Sequence, residues 1–231
     1  MTDKPTTEER MKENIISIIN TMREVILNPA GFFRKMPRSG GFVEPIIFVA
    51  SMSFIVGVIN FILWPLDLGF ATSFGMALLY VVIMPVFVVI FSFVGAAILF
   101  VIWKIMGSQE SYETAYRCGA YAAAITPVTT IVGVVPYIGS VVGLVWMAYV
   151  IVSASIEVHG IKSKIAYIVF GAIFGLLLLM NISATYSARH FSSEMEQWQK
   201  TSQDFDKMTS EEKGEALGKF MKGMQKGIEK D

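Results

Sequence analysis

Four stretches of this chain contain no Asp, Glu, Lys or Arg: residues 45–66, 68–103, 118–156 and 165–188. Nothing else in the sequence constrains the fold as strongly. About 20 helical residues cross the roughly 30 Å hydrocarbon core of a bilayer, where the backbone must satisfy its own hydrogen bonds. The first and last runs, of 22 and 24 residues, each fit one crossing. The third, of 39 residues, fits two, and Val135-Pro136-Tyr137-Ile138-Gly139 supplies a turn inside it, so it reads as a helical hairpin. The second, of 36 residues, would form a helix of about 54 Å, long for one crossing and short for two. Gly69, Thr72 and Ser73 suit a loop, which leaves 74–103 as one long tilted helix bent at Pro85; two shorter crossings are the alternative.

The placement of positive charge favours five crossings. Arg34, Lys35 and Arg38 precede the first, Lys104 and Arg117 lie between the second and third, and Lys162 and Lys164 lie between the fourth and fifth. All seven then share one side, while the opposite loops carry Asp67 and the Pro136 turn with no Lys or Arg. By the positive-inside rule the N-terminus is cytosolic and the C-terminus outside. Six crossings would scatter the same charges over both sides. The expected fold is therefore an all-α polytopic membrane bundle of five transmembrane helices with amphipathic helical ends. Residues 1–43 form a cytosolic N-terminal segment, 44–188 the transmembrane domain and 189–231 a helical tail.

Composition agrees. The chain is 54% hydrophobic and 16% charged, its mean hydropathy is +0.56, and its charges concentrate before Glu44 and after Ala188. A net charge of zero gives no electrostatic case for nucleic acid. Cys118, the single cysteine, has no disulfide or zinc partner in the chain. The first apolar run begins behind a charged segment, so insertion is expected through the first crossing rather than a cleaved leader.

Within the crossings, Gly139 with Gly143 and Gly171 with Gly175 are small-xxx-small pairs that let helix backbones approach closely. Asn60 and Asn181 are the amides of the crossings and can hydrogen-bond between helices. Ahead of them, Met11, Ile15, Ile18, Met22 and Val25 form the seam of an amphipathic helix that Asn28-Pro29 ends. Phe32, Phe33, Arg34 and Lys35 then read as an interfacial anchor, aromatics in the acyl boundary and cations at the headgroups; a docking surface for a cytosolic partner is the alternative. In the tail, Phe191, Met195, Trp198 and Phe205 share one seam. Thr209 with Glu212 makes a capping box for a further helix with Leu217, Phe220, Met221, Met224 and Ile228 on its apolar face. That tail is either a partner-binding arm or a segment lying on the bilayer or its own bundle.

Chemical machinery is sparse. No HExxH, phosphate-binding loop, carboxylate dyad or Cys/His ligand set is present, and Glu157-x-His159 lacks further metal ligands, so no catalytic residue, metal or cofactor is assigned. The span centres hold no ionisable group of the kind that marks ion paths. Arg117 and Glu157 each lie 20 residues from Tyr137, so an antiparallel hairpin predicts an ion pair between them at the cytosolic mouth.

Several segments resemble prokaryotic Yip-domain membrane proteins. The entry segment Asn28-Pro29-Ala30-Gly31-Phe32-Phe33-Arg34-Lys35-Met36-Pro37, with Gly40-Gly41-Phe42 and Pro45 after it, is similar to theirs. So are Tyr112-Glu113-Thr114 with Arg117, Tyr121 and Pro127, then Pro136-x-x-Gly139, Trp146 and Glu157-Val158-His159-Gly160. The resemblance covers roughly residues 28–184. It implies a five-span domain with a cytosolic N-terminus, in a prokaryotic inner membrane. Eukaryotic relatives bind prenylated Rab-type GTPases, but their Asp-Leu-Tyr-Gly-Pro type motif is missing from this N-terminal segment, which makes GTPase binding doubtful here. The expected function is a non-enzymatic membrane scaffold or assembly subunit that engages membrane lipid and a protein partner or a second copy of itself. A small-solute channel or transporter using the proline-bearing spans is the alternative.

Overall fold

The computed structural model describes residues 6–66, 68, 73–135, 137–207, 209, 211–215 and 218. The chain divides into two compact units, Met1–Asn181 and Ile182–Asp231. Every regular element among the described residues is helical: α1 (Thr7–Leu27), α2 (Pro29–Lys35), α3 (Val43–Leu63), α4 (Phe74–Ile105), α5 (Tyr112–Ala122), α6 (Thr126–Val132), α7 (Ile138–Glu157) and α8 (Ser163–Lys207).

Local chemistry sets the boundaries. Thr6 and Glu9 close a capping box at the start of α1, a Thr-x-x-Glu signal that the sequence carries plainly. Asn28 ends α1 and starts α2: its Oδ1 accepts the Gly31 amide, and Pro29 takes the first helical position, where no N–H is needed. Ser73 caps α4 through the Met76 amide, and α4 then runs 32 residues through Pro85. One long helix is thus present where the second charge-free run left two readings open.

Among the described residues four helices are long and apolar enough to cross a membrane: Val43–Leu66, Phe74–Ile105, Ile138–Glu157 and Ser163–Ser187. The expected third crossing is different in kind. It is no single apolar helix but α5, a 3-10 turn over Ala123–Ile125, and α6. Pro127 is the cause, because its ring excludes the carbonyl four residues back, that of Ala123. The Ala123 carbonyl takes the Thr126 amide in a 3-10 bond and also the Thr126 hydroxyl at 2.8 Å, and the Thr130 hydroxyl donates to the Thr126 carbonyl at 2.8 Å. A backbone 3-10 bond and the hydroxyls together satisfy the carbonyls at the break, as broken helices in membranes require.

Packing inverts the usual relation between polarity and burial. α5 is the least apolar of the inner helices, yet Thr114, Ala115, Tyr116, Arg117, Cys118, Ala120, Tyr121 and Ala122 are all buried. Around it stand α3, α4 and α7, while α4 buries only Ala77, Ala96 and Trp103. α3 and α4 approach closely at Gly57, where a Cβ would lie 2.9 Å from the Val81 Cα. The buried Ser53 one turn earlier makes Ser53-x-x-x-Gly57 a small-xxx-small pair in its own right. α8 docks through side chains: Ala166 and Phe170 are buried, and the Phe170 ring meets the Trp103 indole edge-on at 6.3 Å.

Candidate functional site: the capped polar end of the bundle

The charged and polar groups of the first unit converge where α1, α2 and the 36–42 linker cover the ends of α3, α5 and α7. α2 provides the lid. Phe33 is 1% exposed inside the core, and the Phe32 ring packs edge-on to Phe33 at 5.4 Å and to Tyr121 at 5.1 Å. The two phenylalanines therefore pack on protein rather than pointing into lipid as the anchor reading expects. A seven-residue helix tethered by Pro29 and Met36, both buried, leaves them this inward path. Their cations are engaged as well. Arg34 holds Glu157 with two parallel bonds, Nη2 to Oε1 at 2.7 Å and Nε to Oε2 at 2.9 Å, and Lys35 lies 3.5 Å from Glu24. The carboxylate raises the Arg34 pKa, first through the hydrogen bonds and then through its charge.

The expected Arg117–Glu157 pair is not what the structure places here. Equal counting from Tyr137 assumes two unbroken arms, and the 3-10 turn before Pro127 breaks the first. Arg117 sits within α5 with 1% of its side chain exposed and turns to the entry of α3 instead. Its Nη2 donates to the Gly41 carbonyl at 3.1 Å, while Nε and Nη1 lie 3.6 Å from carboxylate oxygens of Glu113 and Glu44, beyond hydrogen-bond range. Gly40 allows this approach: its φ is +132°, and a Cβ there would stand 2.9 Å from Nη2. Around it, Glu113 accepts the Gly41 amide at 2.7 Å, Thr114 donates to the Arg38 carbonyl at 3.0 Å, and Arg38 pairs with Glu110 at 2.6 Å.

A second polar chain adjoins the first. The His159 ring stacks on Trp103 with centroids 3.9 Å apart, and its Nδ1 lies 2.8 Å from the Ser108 hydroxyl. The Trp103 indole N–H donates to Ser155 Oγ at 2.8 Å, and Ser155 donates to the Ile151 carbonyl. His159 Nε2 is buried with no hydrogen-bond partner among the described residues. Burial, and then the positive charges of Arg38 and Lys104, push its pKa down to about 4. His159 is thus an interior residue. Sequence reasoning missed this group, because Trp103 and Ser155 give no signal of meeting across 52 positions.

The remaining sequence-selected residues divide by helix. Gly139 and Gly143 are used inside the chain: a Cβ on Gly139 would strike the Val132 carbonyl and Gly133, and Gly143 faces Thr129 at 3.5 Å. Gly171 and Gly175 face open space. Asn60 is buried and donates to the Val56 carbonyl of its own helix. In the second unit, Phe191 and Met195 are 65% and 46% exposed, and Thr209 with Glu212 forms the expected capping box. The Trp198 and Phe205 side chains, Pro136, and the tail face of Leu217, Phe220, Met221, Met224 and Ile228 lie outside the described residues. Among the described residues no group of three or more His, Cys, Asp or Glu is placed to hold a metal.

Comparison with known proteins places the chain in a family without supplying a close relative. Neither the curated proteins nor the solved structures yield a match to this sequence. The Yip1 domain model matches residues 23–184, from the last turns of α1 through the lid, the polar cluster and most of the apolar part of α8. This multi-pass membrane protein belongs to the Yip1 domain family.

Proposed function

We propose that this Yip1-family protein is a non-enzymatic membrane scaffold or assembly subunit. In this reading it crosses the inner membrane of a prokaryote five times with its N-terminus in the cytosol, and 112–132 is the third, broken crossing. The Yip1 family is not an enzyme family, which fits the choice. One observation carries it: Phe191 and Met195 stay exposed one turn apart on α8, beyond the candidate crossing that ends at Ser187. An apolar seam left open at such a place is a liability in water unless something covers it. The polar groups of the first unit support the same reading, because Arg34, Lys35 and Arg38 each hold a carboxylate and leave a fixed platform. A protein partner or a second copy of the chain would complete the seam.

The test is removal of the residues after Ala188. The bundle should still insert, because no residue of the four apolar helices is lost. The oligomer seen by size-exclusion chromatography with light scattering should shrink, or the proteins identified by mass spectrometry after native purification should be lost. Unchanged mass together with unchanged partners would refute the tail as the assembly element.

A further inference from the structure

α1 and α3 diverge, and the space between them is of two kinds. Toward the start of α3, a pocket of about 350 Å³ is of mixed character, with Asn14, Ser17, Thr21 and Glu44 beside the apolar Val43 and Phe48. Further along α3, a cleft of about 690 Å³ is walled by Ile15 and Ile19 of α1, Ala50 and Phe54 of α3, and Val82 and Pro85 of α4. Ile18 and Ile47 line both, so the two spaces are contiguous.

The direction of this change matters. α3 is one of the four membrane-crossing candidates, and Glu44 lies in its first turn. From Glu44 to Ile55, the far end of the cleft, is a rise of about 16 Å, roughly half the hydrocarbon core and hence one leaflet. With α3 as a crossing, the mixed pocket falls at headgroup level and the apolar cleft at acyl level. On α1, Asn14, Ser17 and Thr21 fall at i, i+3 and i+7, one face of the helix, beside Ile15 and Ile19. The seam read from the sequence as a single apolar stripe therefore has a polar flank, and both flanks face the same opening.

Charge narrows the occupant. One guanidinium, that of Arg117, stands against two carboxylates, Glu44 and Glu113, so the cluster carries one net negative charge. Arg117 is enclosed, whereas Glu44 is 71% exposed and lines the pocket. Arg34, Lys35 and Arg38 each already have a carboxylate. The opening thus presents an anion beside hydroxyl and amide groups, suited to an ammonium near an ester or phosphate and unsuited to an anionic headgroup.

We infer that the α1–α3 opening is a binding site for one bilayer phospholipid with an amine-bearing headgroup, its acyl chain in the Ile15–Phe54–Val82 cleft and its ammonium at Glu44. This inference stands apart from the scaffold reading and uses none of the α8 residues.

Native mass spectrometry of the full chain, delipidated in detergent, tests it with two probes of identical acyl chains, palmitoyl-oleoyl phosphatidylethanolamine and palmitoyl-oleoyl phosphatidylglycerol. The expected result is a single saturable phosphatidylethanolamine adduct, retained about tenfold better than phosphatidylglycerol, a difference of about 1.4 kcal/mol. Ala50→Trp, and independently Val82→Trp at an exposed wall position, should lower retention of both lipids about tenfold. Ile62→Trp, exposed on α3 away from the cleft, should leave retention unchanged. Glu44→Gln should remove the headgroup preference. Two variants fill the cleft from different helices, so a folding failure of one leaves the other decisive. Equal retention of the two headgroups, adducts insensitive to both cleft-filling tryptophans, a preference that survives Glu44→Gln, or a lipid-free dimer in place of the adduct would each overturn the proposal.

Discussion

His159 holds its imidazole flat against Trp103 with one nitrogen on Ser108 and the other buried. Such a ring is kept neutral by the fold. Its pKa is about 4 in place, against about 6.5 when exposed, so the unfolded chain binds the proton more readily. The ring's contribution to stability is therefore intact above about pH 6.5 and is lost as the pH falls through 4. Over that window the loss reaches on the order of 3 kcal/mol. Arg38 and Lys104 are the cations that oppose protonation. The thermal midpoint of the detergent-solubilised protein should decline between pH 6.5 and 4, and His159→Phe, which keeps a ring on Trp103 without a titrating nitrogen, should flatten that decline. An unchanged slope in the variant would show that other groups set the acid limit. Little of this was legible beforehand. His159 and Glu157 stand two residues apart in sequence, yet one turns inward to Trp103 and the other outward to Arg34, a divergence decided by distant partners.

At the scale of elements, glycines with the same local look have opposite roles. Gly57 lies where α3 and α4 cross, and a Cβ there would press on a backbone carbon that cannot step aside. Gly57→Ala should lower stability by about 1–3 kcal/mol, as overpacking does in tight interiors. Gly171→Ala meets nothing within 4 Å, and should be neutral or gain up to about 1 kcal/mol from helix propensity. Thermal midpoints of the two variants in one detergent make the comparison; equal costs would contradict the crossing at Gly57. The long helix at Phe74–Ile105, the end of α1 at Asn28-Pro29 and the α7 glycines were readable, since each rests on run length, on proline or on close approach. The break in 112–132 was harder. Pro127 was visible, but a count of charge-free residues starts at Cys118 and so cuts α5 in two, discarding Tyr112 to Arg117, the half that carries the polar cluster.

For the whole molecule, the number of crossings turns on 112–132. With Cys118→Ala as background, single cysteines at Ser39, Gln109 and Ser163 should react with a membrane-impermeant maleimide from the cytosolic side, and one at Val135 from the other. These positions are exposed, whereas Ser108 is buried and unsuitable. Gln109 and Val135 labelled from the same side would mean that 112–132 does not cross. Hydropathy could not decide this alone. It measures compatibility with lipid, and α4, with three buried positions in 32 residues, shows it strongly, while α5 meets protein on nearly every side.

That arrangement has a consequence for how the molecule is made. Charged groups raise the cost of inserting an isolated helix, and α5 brings Arg117 and Glu113 together on a helix of only 11 residues. Lipid is a poor host for such a segment. α3 and α4 emerge from the ribosome before α5, are apolar, and supply two of the walls that later enclose it. On the five-span reading proposed above, the segment enclosed by α3, α4 and α7 is the one least able to enter lipid alone, so assembly would begin with the apolar helices and enclose α5 later.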